Sequence, residues 1–173
     1  PNPELPDIFQ PEEEPITEPI VKEVVGPDAE SMMLAFRLDG NNSRDHLFGT
    51  LINMLLTNRQ AGLIDINLNQ KQKVLRAGSY NFFLRDYGTH AFYGQPREGQ
   101  TLEEVTGLLL EQLEKIKQGE FDDWMIEAVI NDLRLTEIRR AESNFARAYG
   151  YMDAFTNKRP YVDDLLFIDK MEQ

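Results

Sequence analysis

Ser79-Tyr80-Asn81-Phe82-Phe83-Leu84-Arg85-Asp86-Tyr87-Gly88-Thr89-His90-Ala91-Phe92-Tyr93-Gly94-Gln95 is the stretch that decides the fold. Two aromatic-rich runs, over 79–84 and 88–95, flank the turn Arg85-Asp86-Tyr87-Gly88. Aromatic residues favour the half-buried surface of a pleated sheet. Two strands joined by so short a link pair antiparallel as a hairpin. Side chains alternate along a strand, so Tyr80, Phe82 and Leu84 share one face while Asn81 and Phe83 share the other.

Beyond the hairpin, Thr101-Leu102-Glu103-Glu104 is a capping box: a hydroxyl and a carboxylate that satisfy each other's orphan backbone amides. The helix it starts carries Leu102, Val105, Leu109, Leu113 and Ile116 and stops at Gly119. Asp122 caps a second helix that runs through Trp124, Ala128, Leu133 and Ile138 to about Arg140. Ser143 restarts a helix through Phe145, Tyr149 and Met152, and Pro160 opens a last one with Val162, Leu165, Leu166 and Ile168. Trp124, Phe145, Tyr149 and Tyr151 stand at helical spacing and read as core packing rather than as a cofactor box.

Before the hairpin, a strand is predicted over 31–38, with Met32, Leu34, Phe36 and Leu38 toward the core. Gly40-Asn41-Asn42-Ser43 is a turn, with Ser43 as N-cap and Asp45 in the first helical turn, where the helix dipole favours a carboxylate. The helix that follows carries Leu47, Phe48, Leu51, Ile52, Leu55 and Leu56, a stripe suited to a sheet. A short helix is expected over 61–69. Ile20-Val21-Lys22-Glu23-Val24-Val25 reads as one more strand, ended by Gly26-Pro27. Residues 1–19 hold six prolines and read as an extended, acidic linker lying along a surface. Adjacent strands and blocks of helices predict an α+β fold: a mostly antiparallel sheet with helices packed on one face, as a single domain over 20–173. The start at Pro1-Asn2-Pro3, without Met, reads as a piece of a longer protein.

The chemistry is notable for what is missing. There are no cysteines, so thiol nucleophiles, disulfides and Cys-ligated zinc are excluded together. The net charge of −12 opposes nucleic-acid binding. Most of it lies in residues 1–30, where nine acids face Lys22 alone. No apolar run approaches the ~20 residues that span a bilayer, so the chain reads as soluble, its compartment open between periplasm and cytoplasm. His46 and His90 belong to neither H-E-x-x-H nor H-x-x-E-H, the spacings that place two imidazoles and a carboxylate at one metal. They read as surface or half-buried polar residues. No nucleophile elbow or phosphate loop is present. Asp122-Asp123 and Asp163-Asp164 stand at helix starts, where capping explains them. Glu12-Glu13-Glu14 lacks the spacing of a calcium loop and reads as a solvated run. Catalytic and metal-binding residues are therefore expected to be none, with substrate contacts unassigned.

The order of parts carries a resemblance. Met33-Leu34-Ala35-Phe36-Arg37, then Leu51-Ile52-Asn53-Met54-Leu55-Leu56, then Gln60-Ala61-Gly62-Leu63-Ile64-Asp65-Ile66-Asn67-Leu68-Asn69-Gln70-Lys71, two strands, a capped helix and a helix starting at Asp122 are similar to the non-catalytic domain of the insulinase/pitrilysin zinc peptidases. The resemblance runs from Ile20 to the end of the chain. It implies a parent built as a clamshell of four homologous α/β domains. The first would bind zinc through the inverted histidine motif, and the others would close a chamber around a peptide. Some members use an Arg and a Tyr seven residues apart to hold the substrate carbonyl. Asn69 and Arg76 stand at those positions here, so the pair is missing.

Three readings follow. The first is a chamber-wall domain of a zinc peptidase, with zinc expected in a preceding catalytic domain of the parent and that domain and the peptide as partners. The second is a zinc-free structural or assembly subunit on the same fold. The third is a binding module unrelated to peptidases.

Overall fold

Three strands carry the architecture of the computed structural model, which describes residues 13–59 and 61–171. The leader before Glu13 and residues Gln60, Glu172 and Gln173 lie outside the described residues. Strand β1 (Met32–Asp39) leads into helix α1 (Arg44–Leu56) and a π-helical turn (Asp65–Asn69). The hairpin β2 (Arg76–Phe83) and β3 (Tyr87–Gln95) follows. Then come helices α2 (Leu102–Gln118), α3 (Asp123–Glu142), α4 (Asn144–Thr156), α5 (Tyr161–Leu165) and α6 (Phe167–Met171). The sheet is antiparallel throughout, in the order β1-β3-β2. The α+β architecture with helices on one face is as expected. Among the described residues, β1 and β2 each keep one free edge.

The register explains the core. Phe92 in the central strand faces Leu34 across β1 and Ser79 across β2. Phe92 is fully buried, and Leu56, Ile64, Leu68, Val74, Ala77, Val105 and Leu109 close around it. Gly94 lets α2 come close: a Cβ there would stand 2.4 Å from Val105 Cγ1. A second cluster, Leu55, Leu63, Met125 and Val129, joins α1 to α3, so α3 packs on the helical layer rather than on the sheet. The capping box is present at Thr101 and Glu104, and Gly119 ends α2 in the left-handed backbone region that favours glycine.

The structure corrects four expectations. Residues 20–25 form no strand, and Val21, Val24 and Val25 are almost fully exposed. A strand needs a pairing partner, and this segment has none among the described residues. Trp124, Phe145, Tyr149 and Tyr151 are not core: about half to four-fifths of each is exposed. Tyr151 packs its ring on Tyr161 of α5, and Phe145 lies against Tyr149 on α4 itself. Ser43 and Asp122 occupy N-cap positions without capping. The Ser43 hydroxyl donates to Gly40 O, and Asp122 accepts from the Trp124 indole at 3.0 Å. Glu13 is no solvated bystander, as its contacts with the sheet show.

Candidate functional site: the uncovered face of the sheet

Strand alternation and register give the sheet two different faces. Met32, Leu34, Phe36 and Leu38 point toward the helices, as do Ala77, Ser79, Asn81, Phe83, Gly88, His90, Phe92 and Gly94. The opposite face carries Met33, Ala35 and Arg37 of β1, Arg76, Gly78, Tyr80 and Phe82 of β2, and Tyr87, Thr89, Ala91 and Tyr93 of β3. No described helix packs on it. Met33 is 67% exposed and Phe82 is 58% exposed. A closed monomer normally avoids such contiguous apolar exposure on a sheet face.

This surface is organised. Tyr80 reaches across the sheet, its hydroxyl 3.8 Å from Met33 Sδ on the far strand. To get there the ring crosses β3 above Ala91, its register partner, which is buried beneath it. Tyr93 lies flat over Gly78: a Cβ at Gly78 would stand 2.4 Å from the Tyr93 hydroxyl. The Arg76 guanidinium sits over the Tyr93 ring, 5.5 Å from its centroid, in reach of the ring's electron-rich face. At the opposite end Arg37 sits over Tyr87 at 5.4 Å. There the leader arrives. Arg37 donates to the Glu13 carboxylate at 2.9 Å and to Glu14 O at 2.7 Å, and the Glu13 amide donates to the Tyr87 hydroxyl at 2.9 Å.

The histidines do not converge on a metal. His90 lies on the helix-facing side, buried against Phe92, and its Nε2 has no partner. Burial pushes its pKa down to about 4, which keeps the ring neutral. His46 packs between Phe83 and Phe167; burial, then the nearby Arg159 cation, lowers its pKa. Among the described residues no group of three or more His, Asp or Glu could hold a metal ion. The described residues therefore assemble no zinc site of three protein ligands. The paired acids stand at helix starts as expected. Asp164 bonds Arg159 at 2.8 Å, Arg159 also holds Asp153 at 2.7 Å, and Asp163 holds Lys170 at 2.9 Å. These pairs tie α4, α5 and α6 together beside a cavity of about 660 Å³.

Asn69 and Arg76, the positions of the missing pair, are separated in role. Asn69 turns inward and bonds the backbone of Ala77. Arg76 stays on the open face. The open face itself escaped the sequence reading. Its one signal was that Tyr80, Phe82 and Leu84 are as apolar as the opposite face of the same strand, a pattern that equally describes a strand buried on both sides.

The family model of the peptidase M16 inactive domain matches residues 1–133. The chain belongs to that family. The resemblance to the insulinase-like peptidases thus holds, and a binding module unrelated to peptidases is set aside. No curated protein matches. Among solved structures, a protease from Helicobacter pylori superposes with a TM-score of 0.74 at 17% identity, over 82% of this chain and 34% of that one. This M16 inactive domain therefore spans about a third of that protease. The inactive peptidase domain of a candidate zinc protease from Bordetella parapertussis gives 0.70 at 14% identity, over 84% and 80%. A chain of Complex III2 from Candida albicans gives 0.61 at 12% identity, over 80% and 36%. At such identities the likeness is one of fold. No described helix of this M16 inactive domain is long and apolar enough to cross a membrane.

Proposed function

We propose that this M16 inactive domain is a wall of a peptidase chamber. It encloses peptide substrates while zinc and the chemistry belong to a preceding domain of the parent. The uncovered sheet face carries the reading: Met33, Tyr80, Phe82 and Tyr93 offer an apolar, aromatic surface opposite the helical layer. Such a surface suits extended, sequence-diverse peptides, because aromatic rings supply contact area without demanding a particular side chain. The division into a linker over 1–19 and a domain over 20–173 belongs to the same proposal, with the linker as the connection from the zinc domain.

Site-specific photocrosslinking tests it. With p-benzoylphenylalanine in place of Phe82, the chain should label with peptides of a casein digest. With the same group in place of Leu110, on the helical side, it should not. Equal labelling at both positions, or labelling at neither, overturns the wall. Tightly held zinc together with peptide cleavage by this chain alone overturns the non-catalytic assignment. The fold shared with the Complex III2 chain supports a second reading, a zinc-free assembly subunit. That reading predicts a parent without an H-x-x-E-H motif.

A further inference from the structure

Two arginine–tyrosine pairs stand at opposite ends of the uncovered face. Arg37 over Tyr87 is one, at 5.4 Å, and Arg76 over Tyr93 is the other, at 5.5 Å. Tyr87 and Tyr93 are both on β3. At the rise of an extended strand their separation is roughly 20 Å.

The first pair already holds a ligand from the chain itself: the carboxylate of Glu13, the carbonyl of Glu14 and the amide of Glu13. An acidic side chain together with its neighbouring backbone is thus what Arg37 over Tyr87 accepts. The second pair has the same parts and no such ligand. Arg76 is exposed, and among the described residues it meets no carboxylate. It borders a hollow of about 280 Å³ with Ser31, Met33, Tyr93 and Gln95. Between the pairs, the face of β2 and β3 is uncharged: Gly78, Tyr80, Phe82, Thr89 and Ala91.

We infer that Arg76 and Tyr93 form a carboxylate subsite for a Glu or Asp side chain of an extended peptide whose neighbouring apolar residues lie on Tyr80 and Met33. The proposal rests on the wall reading and adds a preference to it. The preference runs against the charge of the whole protein, −12, which would favour basic peptides by long-range attraction. A preference for acid therefore has to come from a local, charge-assisted contact.

Fluorescence anisotropy with the 173-residue chain tests it. The probes are three labelled octapeptides, identical in their leucine and threonine residues, with Glu, Gln or Lys at two positions. The glutamate peptide should bind about tenfold tighter than the glutamine peptide, and Arg76→Gln should erase that difference while leaving the circular dichroism and Tm unchanged. If all three peptides bind alike, or if the preference survives in R76Q, the subsite is overturned and the wall stands. If none of the three binds, both fall.

Discussion

Asn69 holds Ala77 by both ends of its backbone: the Asn69 amide donates to Ala77 O at 2.9 Å, and Ala77 N donates to Asn69 Oδ1 at 3.0 Å. A third bond, from the same amide to Asp65 at 3.2 Å, ties this clasp to the π-helical turn. The first residue of the missing Arg/Tyr pair has become a fastener of the free edge of β2. Its loss leaves a buried amide and carbonyl unpaired, which costs about 1–3 kcal/mol. Asn69→Ala should therefore lower the unfolding free energy in urea by that amount at unchanged m-value. A loss no larger than that of an ordinary surface change, about 0.5 kcal/mol, would show that the clasp does not matter.

The two faces of the sheet should respond differently to substitution. Phe92 is fully buried. Phe92→Ala leaves a cavity and should cost about 3–5 kcal/mol. Phe82 is on the uncovered face and exposed. Phe82→Ser should behave as a surface change and alter stability by no more than about 0.5 kcal/mol. Thermal melts of the two variants would test this; a large loss in F82S would mean that the face is covered in solution.

Gly78 is where the uncovered face is tightest. In Gly78→Ala the new methyl group meets the Tyr93 ring, and the ring rather than the backbone gives way. Tyr93 should lift from the sheet and lose its stacking with Arg76, at a stability cost of about 1 kcal/mol. Nitration by tetranitromethane should then be faster at Tyr93 than in the parent chain. An unchanged nitration rate would count against the flat packing.

His90 makes the fold sensitive to acid. Its folded pKa of about 4 lies below the ordinary 6.5, so the unfolded chain binds the proton first. The stabilisation is complete above the unfolded value and is lost as the pH falls toward the folded one, by at most about 3 kcal/mol. His46, also lowered, acts in the same direction. Denaturant unfolding at pH 7 and pH 5 should show the loss, and His90→Leu should reduce it. An equal loss in the variant would assign the acid sensitivity elsewhere.

Much of the fold was legible because its signals are local. The hairpin, whose turn is shorter than expected because Tyr87 and Gly88 already pair in β3, the capping box at Thr101 and the stop at Gly119 are satisfied by neighbours in sequence, so the chain writes them plainly. What failed depends on distant partners. Val21, Val24 and Val25 have the composition of a strand, but pairing is decided by whether an edge comes to meet them. Phe145 and Tyr149 have the spacing of a core stripe, but spacing does not say what covers it. The open face was hidden for the same reason: apolar residues on both sides of β2 mean burial or exposure according to what lies above them.

The free edges have a practical consequence. Among the described residues the outer side of β1 pairs with no strand, and a few residues upstream runs an exposed β-branched segment, Ile20 to Val25, broken only by Lys22 and Glu23. Each copy thus carries both a template and a sticky ribbon to fit it. Concentrated samples should exchange these ribbons and self-associate, with the two central charges as the gatekeepers that slow it. Replacing Lys22 and Glu23 by Val should turn a slow rise in light scattering into a fast one.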